Sequence, residues 1–373
     1  TVSTAIVEAL LDKISSDGGA LKNDRIDLVV DTTARTKELK VYILQRDLTK
    51  IIDKTDASLS ITSPFISIVF DEKALNTISS TESGGKVVIS AGIIDNDSLS
   101  EEDKAKVQGR PVYNLTVMNG DTQVSDFEGG HATVTIPYTL KTGENPNAVV
   151  IYYLSDDGKL IVVRGRYDAE LKAVVFKTSH FSKFVIGYNS VSFNDVVIYA
   201  WYKDAVDFIA AREITSGTGD GAFSPEAKLT RGQFIVLLMN AYGISPESAD
   251  EGTTNFADAG STYYTDYLLA AKTLGIVNGV GNNMFAPEKE ITRQEMFVML
   301  YNALEVIEEL PQVSGDKQLS DFGDVNHVDS WAQEAMSALI EGGVISGSNG
   351  MLNPKASTTR AEMTQMLYNL LSK

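Results

Sequence analysis

The second half of the chain spells one pattern three times, and no other feature limits its fold as much. Each copy holds an F-x-D opening, an aromatic at the start of a helix, a Gly-rich loop, a Pro, and then Thr-Arg at the start of a second helix. The copies are Phe193, Asp195, Trp201, Gly217, Pro225, Thr230, Arg231; Phe256, Asp258, Tyr264, Gly279, Pro287, Thr292, Arg293; and Phe322, Asp324, Trp331, Gly347, Pro354, Thr359, Arg360. The arginines are spaced 62 and 67 residues apart. A fixed period of this size means stacked or symmetric supersecondary units.

Local chemistry accounts for most of the motif. Each Thr-x-x-Glu/Gln reads as a capping box, with the Thr hydroxyl taking the N3 amide and the acidic or amide side chain returning to the N-cap amide. Behind the caps run apolar stripes at helical spacing: Phe234, Leu237, Leu238, Ala241; Met296, Met299, Leu300, Ala303; and Met363, Met366, Leu367, Leu370. Three equivalent faces predict three helices packed on one another, with the methionines in the core. The preceding helices repeat the logic, Trp201, Ala205, Phe208 and Ile209 matching Trp331, Ala335, Ala338 and Leu339.

An Arg directly after a helix cap is out of place, because the first turn carries a partial positive charge. Its recurrence asks for an anion. Two partners remain open: the F-x-D aspartate, or an external carboxylate or phosphate held by Arg and exposed helix amides together. Since the position is intrinsically unfavourable, replacing any one Arg by Ala is expected to leave the melting temperature nearly unchanged, except in a groove where the Arg neutralises a buried Asp.

These residues resemble the S-layer homology family, whose T-R-A-E signature stands here as Thr359-Arg360-Ala361-Glu362 and, modified, as Thr292-Arg293-Gln294-Glu295 and Thr230-Arg231-Gly232-Gln233. The resemblance covers residues 191–373. It implies an all-α, pseudo-threefold bundle of three repeats (191–250, 251–315 and 316–373) that anchors a secreted surface protein non-covalently to a Gram-positive cell wall. It further implies a peptidoglycan-linked anionic polysaccharide as partner, a pyruvylated secondary cell-wall polymer. Each groove would combine an Arg (Arg231, Arg293, Arg360), its Asp (Asp195, Asp258, Asp324), the loop Gly (Gly217, Gly279, Gly347) and a stacking aromatic (Trp201, Tyr264, Trp331). Departures from the family pattern, such as Gly232-Gln233 and the shorter third loop, leave open which groove is occupied.

Residues 1–190 read as strands: 26–30, 39–44, 59–61, 65–70, 86–91, 112–118, 131–136, 149–154, 160–163, 173–176 and 184–188. An amphipathic helix is expected near 3–15, with helical insertions near 45–54 and 71–78. His131 to Ile136 alternates cleanly, and Ser155-Asp-Asp-Gly-Lys159 is a hairpin turn. The expected architecture is α+β multidomain: a β-rich spacer over 1–100, then a β-sandwich over 101–190. The latter resembles the ZU5 type, through Ile136-Pro-Tyr138, Tyr152-Tyr153 and His180-Phe-Ser-Lys-Phe184. Some relatives of that type cleave themselves at Phe–Ser; here the expectation is an intact strand with Phe181 inward and His180 and Ser182 outward.

Composition narrows the function. A net charge of −18 disfavours nucleic acid, which needs a basic face. With no cysteine there are no disulfides or thiolate metal sites, and three histidines make a histidine metal cluster improbable. Asp95-Asn-Asp97 opens like a calcium loop, but Ser100 stands where the loop's Gly belongs. No cofactor, metal, catalysis or membrane insertion is expected. Residues 1–20 show no signal peptide, so the chain is expected to be part of a longer extracellular protein of the cell wall or S-layer. The alternative function is a self-associating lattice protein.

Overall fold

The computed structural model describes the chain except residues 17–24, 32, 34–35, 56, 82–84, 96, 98, 248–251 and 373. It is α+β and divides into two compact units, Thr1–Ser190 and Val191–Lys373.

The N-terminal unit holds two sheets. One runs in the order β1 (Arg25–Val29), β3 (Ser58–Thr62), β4 (Ser67–Phe70), β8 (Ala132–Pro137), β12 (Ala173–Thr178) and β11 (Gly165–Asp168). The other runs β10 (Leu160–Val163), β9 (Val149–Leu154), β13 (Lys183–Tyr188), β6 (Val112–Asn119), β5 (Lys86–Ile94) and β2 (Glu38–Leu44), with the short β7 (Thr122–Gln123) paired to β6. Inward residues of both sheets fill one core, among them Ile61, Phe70, Val134 and Phe176 from the first and Ile43, Val87, Leu115 and Phe184 from the second. Alternation sets this arrangement: Ala132, Val134 and Ile136 are buried while Thr133 and Thr135 stay half-buried. Helices α1 (Thr4–Ser16), α2 (Gln45–Lys54), α3 (Glu72–Ser80) and α4 (Glu101–Val107) complete the unit.

The expected division near residue 100 does not exist. β4 pairs with β8 and β5 with β6, so strands from either side of it interleave in both sheets. β7, β11 and α4 were not foreseen: β11 is Gly-Arg-Tyr-Asp and has no apolar alternation, and the acidic start of α4 reads as a solvated turn. Ser100 caps α4, its hydroxyl accepting from the Asp103 amide. Phe181 is buried against Phe70 and Phe127, as expected. His180 lies against Tyr153 rather than outward, and burial lowers its pKa against a smaller opposing effect of Asp126.

The C-terminal unit holds α5 (Lys203–Ala211), α6 (Arg231–Tyr242), α7 (Thr265–Thr273), α8 (Arg293–Val306), α9 (Gln333–Glu341) and α10 (Arg360–Leu371). All three capping boxes form, at Thr230–Gln233, Thr292–Glu295 and Thr359–Glu362. The partners of the capped helices differ from expectation. α6 touches α8, yet each capped helix is also covered by the first helix of the following repeat: α7 packs on α6, α9 on α8, and α5 on α10. The last of these closes a ring, with the Phe208 ring edge-on to Tyr368. One core cluster runs through all three repeats. Each cap residue also bridges the loop of another repeat, in the antiparallel pairs Thr230–Glu290, Thr292–Ser357 and Thr359–Lys228.

Candidate functional site

Each F-x-D aspartate grips its own repeat's loop. Asp195 accepts from the amides of Phe223 and Ser224 (both 2.7 Å), Asp258 from Phe285 and Ala286 (2.8 and 2.7 Å), and Asp324 from Leu352 and Asn353 (2.8 and 2.7 Å). Burial tends to raise the Asp195 pKa, but these amide bonds and the charge of Arg360 outweigh it and hold the carboxyl below its ordinary value.

The arginine arrives from the preceding repeat. Arg360 Nε donates to the Phe223 carbonyl (2.8 Å), Arg231 Nε to that of Phe285 (2.9 Å) and Arg293 Nε to that of Leu352 (2.9 Å). Aspartate and arginine thus hold the amide and carbonyl of one loop residue and do not pair directly. The order is cyclic, from repeat 1 to 2, 2 to 3 and 3 back to 1. Arg231 also lies over the Phe285 ring, 4.5 Å from its centre, and Arg360 over Phe223 at 4.9 Å.

Two expectations are corrected here. The helix-start amides are not exposed: Arg231 and Gly232 donate to Lys289 and Pro287 carbonyls, Arg293 and Gln294 to Ala356 and Pro354, and Arg360 and Ala361 to Ala227 and Pro225. With N3 held by the Thr cap, no first-turn amide is left for a ligand. Nor are the arginines expendable surface groups, because Arg231 and Arg360 are only 3% and 5% exposed.

The structure also moves the second aromatic. Tyr264 is buried and donates its hydroxyl to Glu288, so it offers no stacking face. Tyr263 is the exposed ring, at 63%, alongside Trp201 at 62% and Trp331 at 53%. The signal was present in the sequence: Tyr263-Tyr264 matches Trp201-Tyr202, the second ring of each pair being the buried one. The exposure of Trp201 and Trp331 equally removes them from the apolar stripe assigned to them.

The loop glycines serve packing. Gly217, Gly279 and Gly347 have positive φ, and a Cβ on them would come within 2.7, 2.7 and 2.4 Å of the rings of Phe193, Phe256 and Phe322. The F-x-D phenylalanine therefore rests on its own repeat's loop, and only glycine fits beneath it.

One groove is well formed. Arg231 of the first repeat, Gly279, Val280, Glu295 and Asn302 of the second and Trp331 of the third line a cavity of about 460 Å³. Arg231 Nη1 meets Glu295 there at 3.0 Å. The Arg360 groove assembles in the same cyclic order: Arg360 Nη2 reaches Thr215 Oγ1 at 3.4 Å, and Tyr263 lies within reach of Gln233 and the charge of Arg360. Burial lowers the pKa of all three guanidiniums, with nearby acidic groups opposing it.

The S-layer homology domain family matches residues 192–235, 255–297 and 321–364. The C-terminal unit carries three S-layer homology repeats. The chain is also similar to an amylopullulanase of Thermoanaerobacterium thermosulfurigenes, 25% identical over 92% of this chain and 18% of that protein. It is 26% identical to exoglucanase XynX of Acetivibrio thermocellus over 78% of this chain and 25% of the relative. The surface-layer 125 kDa protein of Lysinibacillus sphaericus is 33% identical over 46% of this chain and 14% of its own length. The chain thus spans a quarter or less of each of these proteins. Among the described residues no helix is long and apolar enough to cross a membrane, and no cluster of His, Asp or Glu could hold a metal ion.

Proposed function

We propose that the S-layer homology repeats anchor a secreted protein to the cell wall of a Gram-positive-type bacterium by binding an anionic, pyruvylated polysaccharide linked to peptidoglycan. The observation that carries this reading is the groove joining a buried arginine, a glycine loop and an exposed aromatic from three different repeats. An exposed indole or phenol offers an apolar face to a sugar ring, while a guanidinium fixed through Nε but with no carboxylate in ion-pair contact, as at Arg360 and Arg293 among the described residues, presents its remaining N–H groups to a carboxylate. The chain itself is proposed to be non-catalytic and cofactor-free. Its similarity to the amylopullulanase extends across both units yet covers under a fifth of that protein, which suits a region that accompanies diverse surface proteins. The test is a pull-down of the full chain by purified cell walls and by walls stripped of polymer with hydrofluoric acid. Capture by the first alone is expected; equal capture by both sinks the polymer as ligand.

A second reading, self-assembly into a surface lattice, is favoured by the similarity to the surface-layer 125 kDa protein. Sedimentation of the chain with and without divalent cations separates the two, since a lattice former enlarges with concentration and an anchor does not.

A further inference from the structure

We propose that the three grooves are not interchangeable, and that the one residue at N3 of the capped helix decides which accepts the carboxylate of the polymer: Gln233 leaves the Arg360 groove open to an anion, whereas Glu295 closes the Arg231 groove to it. This rests on the anchoring function proposed above and assigns its recognition to particular residues.

The cyclic packing brings the N3 side chain of the following repeat towards each arginine: Glu295 touches Arg231, the charge of Glu362 acts on Arg293, and Gln233 and the charge of Arg360 both act on Tyr263. For Arg231 that side chain is Glu295, and the two form an ion pair at 3.0 Å, with Glu295 only 11% exposed. Lys289 approaches the same carboxylate at 3.2 Å. Burial tends to raise the Glu295 pKa, but bonds from the Thr292 amide and hydroxyl and the charges of Arg231 and Lys289 together keep it low. The carboxylate is ionised at neutral pH and already occupies the place of an anionic ligand on Arg231.

For Arg293 the corresponding carboxylate is Glu362, which contributes charge but spends its Oε2 on Thr358 Oγ1 and the Thr359 amide. Arg293 has no carboxylate within ion-pair distance among the described residues. For Arg360 the residue is Gln233, neutral at every pH. Its Oε1 accepts from the Thr230 amide to complete the capping box, so the amide does the structural work of Glu295 without its charge. Arg360 is 5% exposed, also has no carboxylate within ion-pair distance among the described residues, and keeps Thr215 and Tyr263 as neutral polar neighbours. Each arginine feels the charge of one F-x-D aspartate, Asp258 on Arg231, Asp324 on Arg293 and Asp195 on Arg360. The difference lies in the N3 side chain: a buried cation with no carboxylate in direct contact favours an incoming anion more than one already ion-paired. The affinity order for a carboxylate is therefore Arg360 groove, then Arg293, then Arg231.

Gln and Glu both serve in a capping box, so charge can be exchanged without losing the helix start. The probe is a methyl glucopyranoside carrying a 4,6-pyruvate ketal, compared with its uncharged methyl ester. It is titrated calorimetrically into the full chain, with thermal melts confirming that each variant folds. Gln233→Glu should weaken binding of the acid about tenfold or more, the scale of one charge-assisted contact, while leaving any binding of the ester unchanged. Glu295→Gln should create additional acid binding. The double exchange should move the principal site from Arg360 to Arg231. Tryptophan fluorescence reads that move directly, because the only two tryptophans are Trp201 and Trp331. Acid bound in the Arg360 groove, whose aromatic is Tyr263, leaves the indole emission unaltered, and acid bound in the Arg231 groove shifts that of Trp331. Wild-type binding that Gln233→Glu does not weaken, or that perturbs Trp331 from the start, overturns the assignment while leaving anchoring intact. Binding of neither probe alongside no capture by native walls overturns both.

Discussion

Arg231 and Arg360 occupy equivalent positions with different electrostatic accounts. Removing Arg231 leaves Glu295 half-neutralised in a buried site and the Phe285 carbonyl without a donor. Arg231→Ala is therefore expected to cost about 3 kcal/mol, the low end for breaking a buried pair. Arg360→Ala loses its bonds to the Phe223 carbonyl and to Thr215 but also relieves a desolvated charge that has no carboxylate in ion-pair contact, so a cost of about 1 kcal/mol is expected. Urea titration of both variants checks the difference, and equal losses would mean that the ion pair adds nothing. Ala286 supplies a second test. It sits at φ 57°, where the third repeat places Asn353 at φ 52°, and alanine pays about 1 kcal/mol or more for that conformation. Ala286→Asn should raise the melting temperature, because Asn adopts left-handed backbone at lower cost. A fall would show that the Asp258 bonds to this turn depend on the alanine.

At the level of elements, the repeats exchange their helices. Because α7 covers α6, α9 covers α8 and α5 covers α10, a single repeat cut from the chain keeps its local caps but exposes the faces that its neighbours cover. Residues 191–247 alone are expected to show little helix by circular dichroism, and 191–373 to unfold in one cooperative step. Two or more separate transitions in the latter would contradict the shared core. The β-rich unit shows a related limit of local reading. Eleven of its strands were legible from alternation and turn residues, as in β8 and the Ser155–Lys159 hairpin, whereas β7 and β11 were not. Gly165-Arg-Tyr-Asp168 is a strand because Val174 and Phe176 of β12 stand opposite it. Within the same unit, the Phe181–Ser182 bond is expected to remain intact: the Ser182 carbonyl accepts from the Leu115 amide as part of the sheet, and the His180 ring lies against Tyr153. Intact-mass measurement of fresh protein checks this, and fragments ending at Phe181 would refute it.

For the molecule as a whole, acid should act through the loop carboxylates. Asp195 and Glu295 both have folded-state pKa values depressed below the ordinary 3.8 and 4.5. The stability they add is therefore complete above those ordinary values and is lost as pH falls through the lower folded ones. Melting temperature should drop on acidification below about pH 4, and Asp195→Asn should start lower and fall less steeply. A variant that falls as steeply as the wild type would place the acid sensitivity elsewhere. What the sequence by itself determined is what depends on near neighbours: the period, the three capping boxes, the apolar stripes, the glycine loops and most strands, each set by interactions within a few residues. Only the tertiary structure decided that Arg and Asp meet through a shared loop residue, that the first-turn amides are consumed by the next repeat's loop, that Tyr263 and not Tyr264 faces outward, and that strands from both sides of residue 100 share two sheets. All of these join residues far apart in sequence, where the partner is chosen by how the ring and the sheets close and not by anything beside it in the chain.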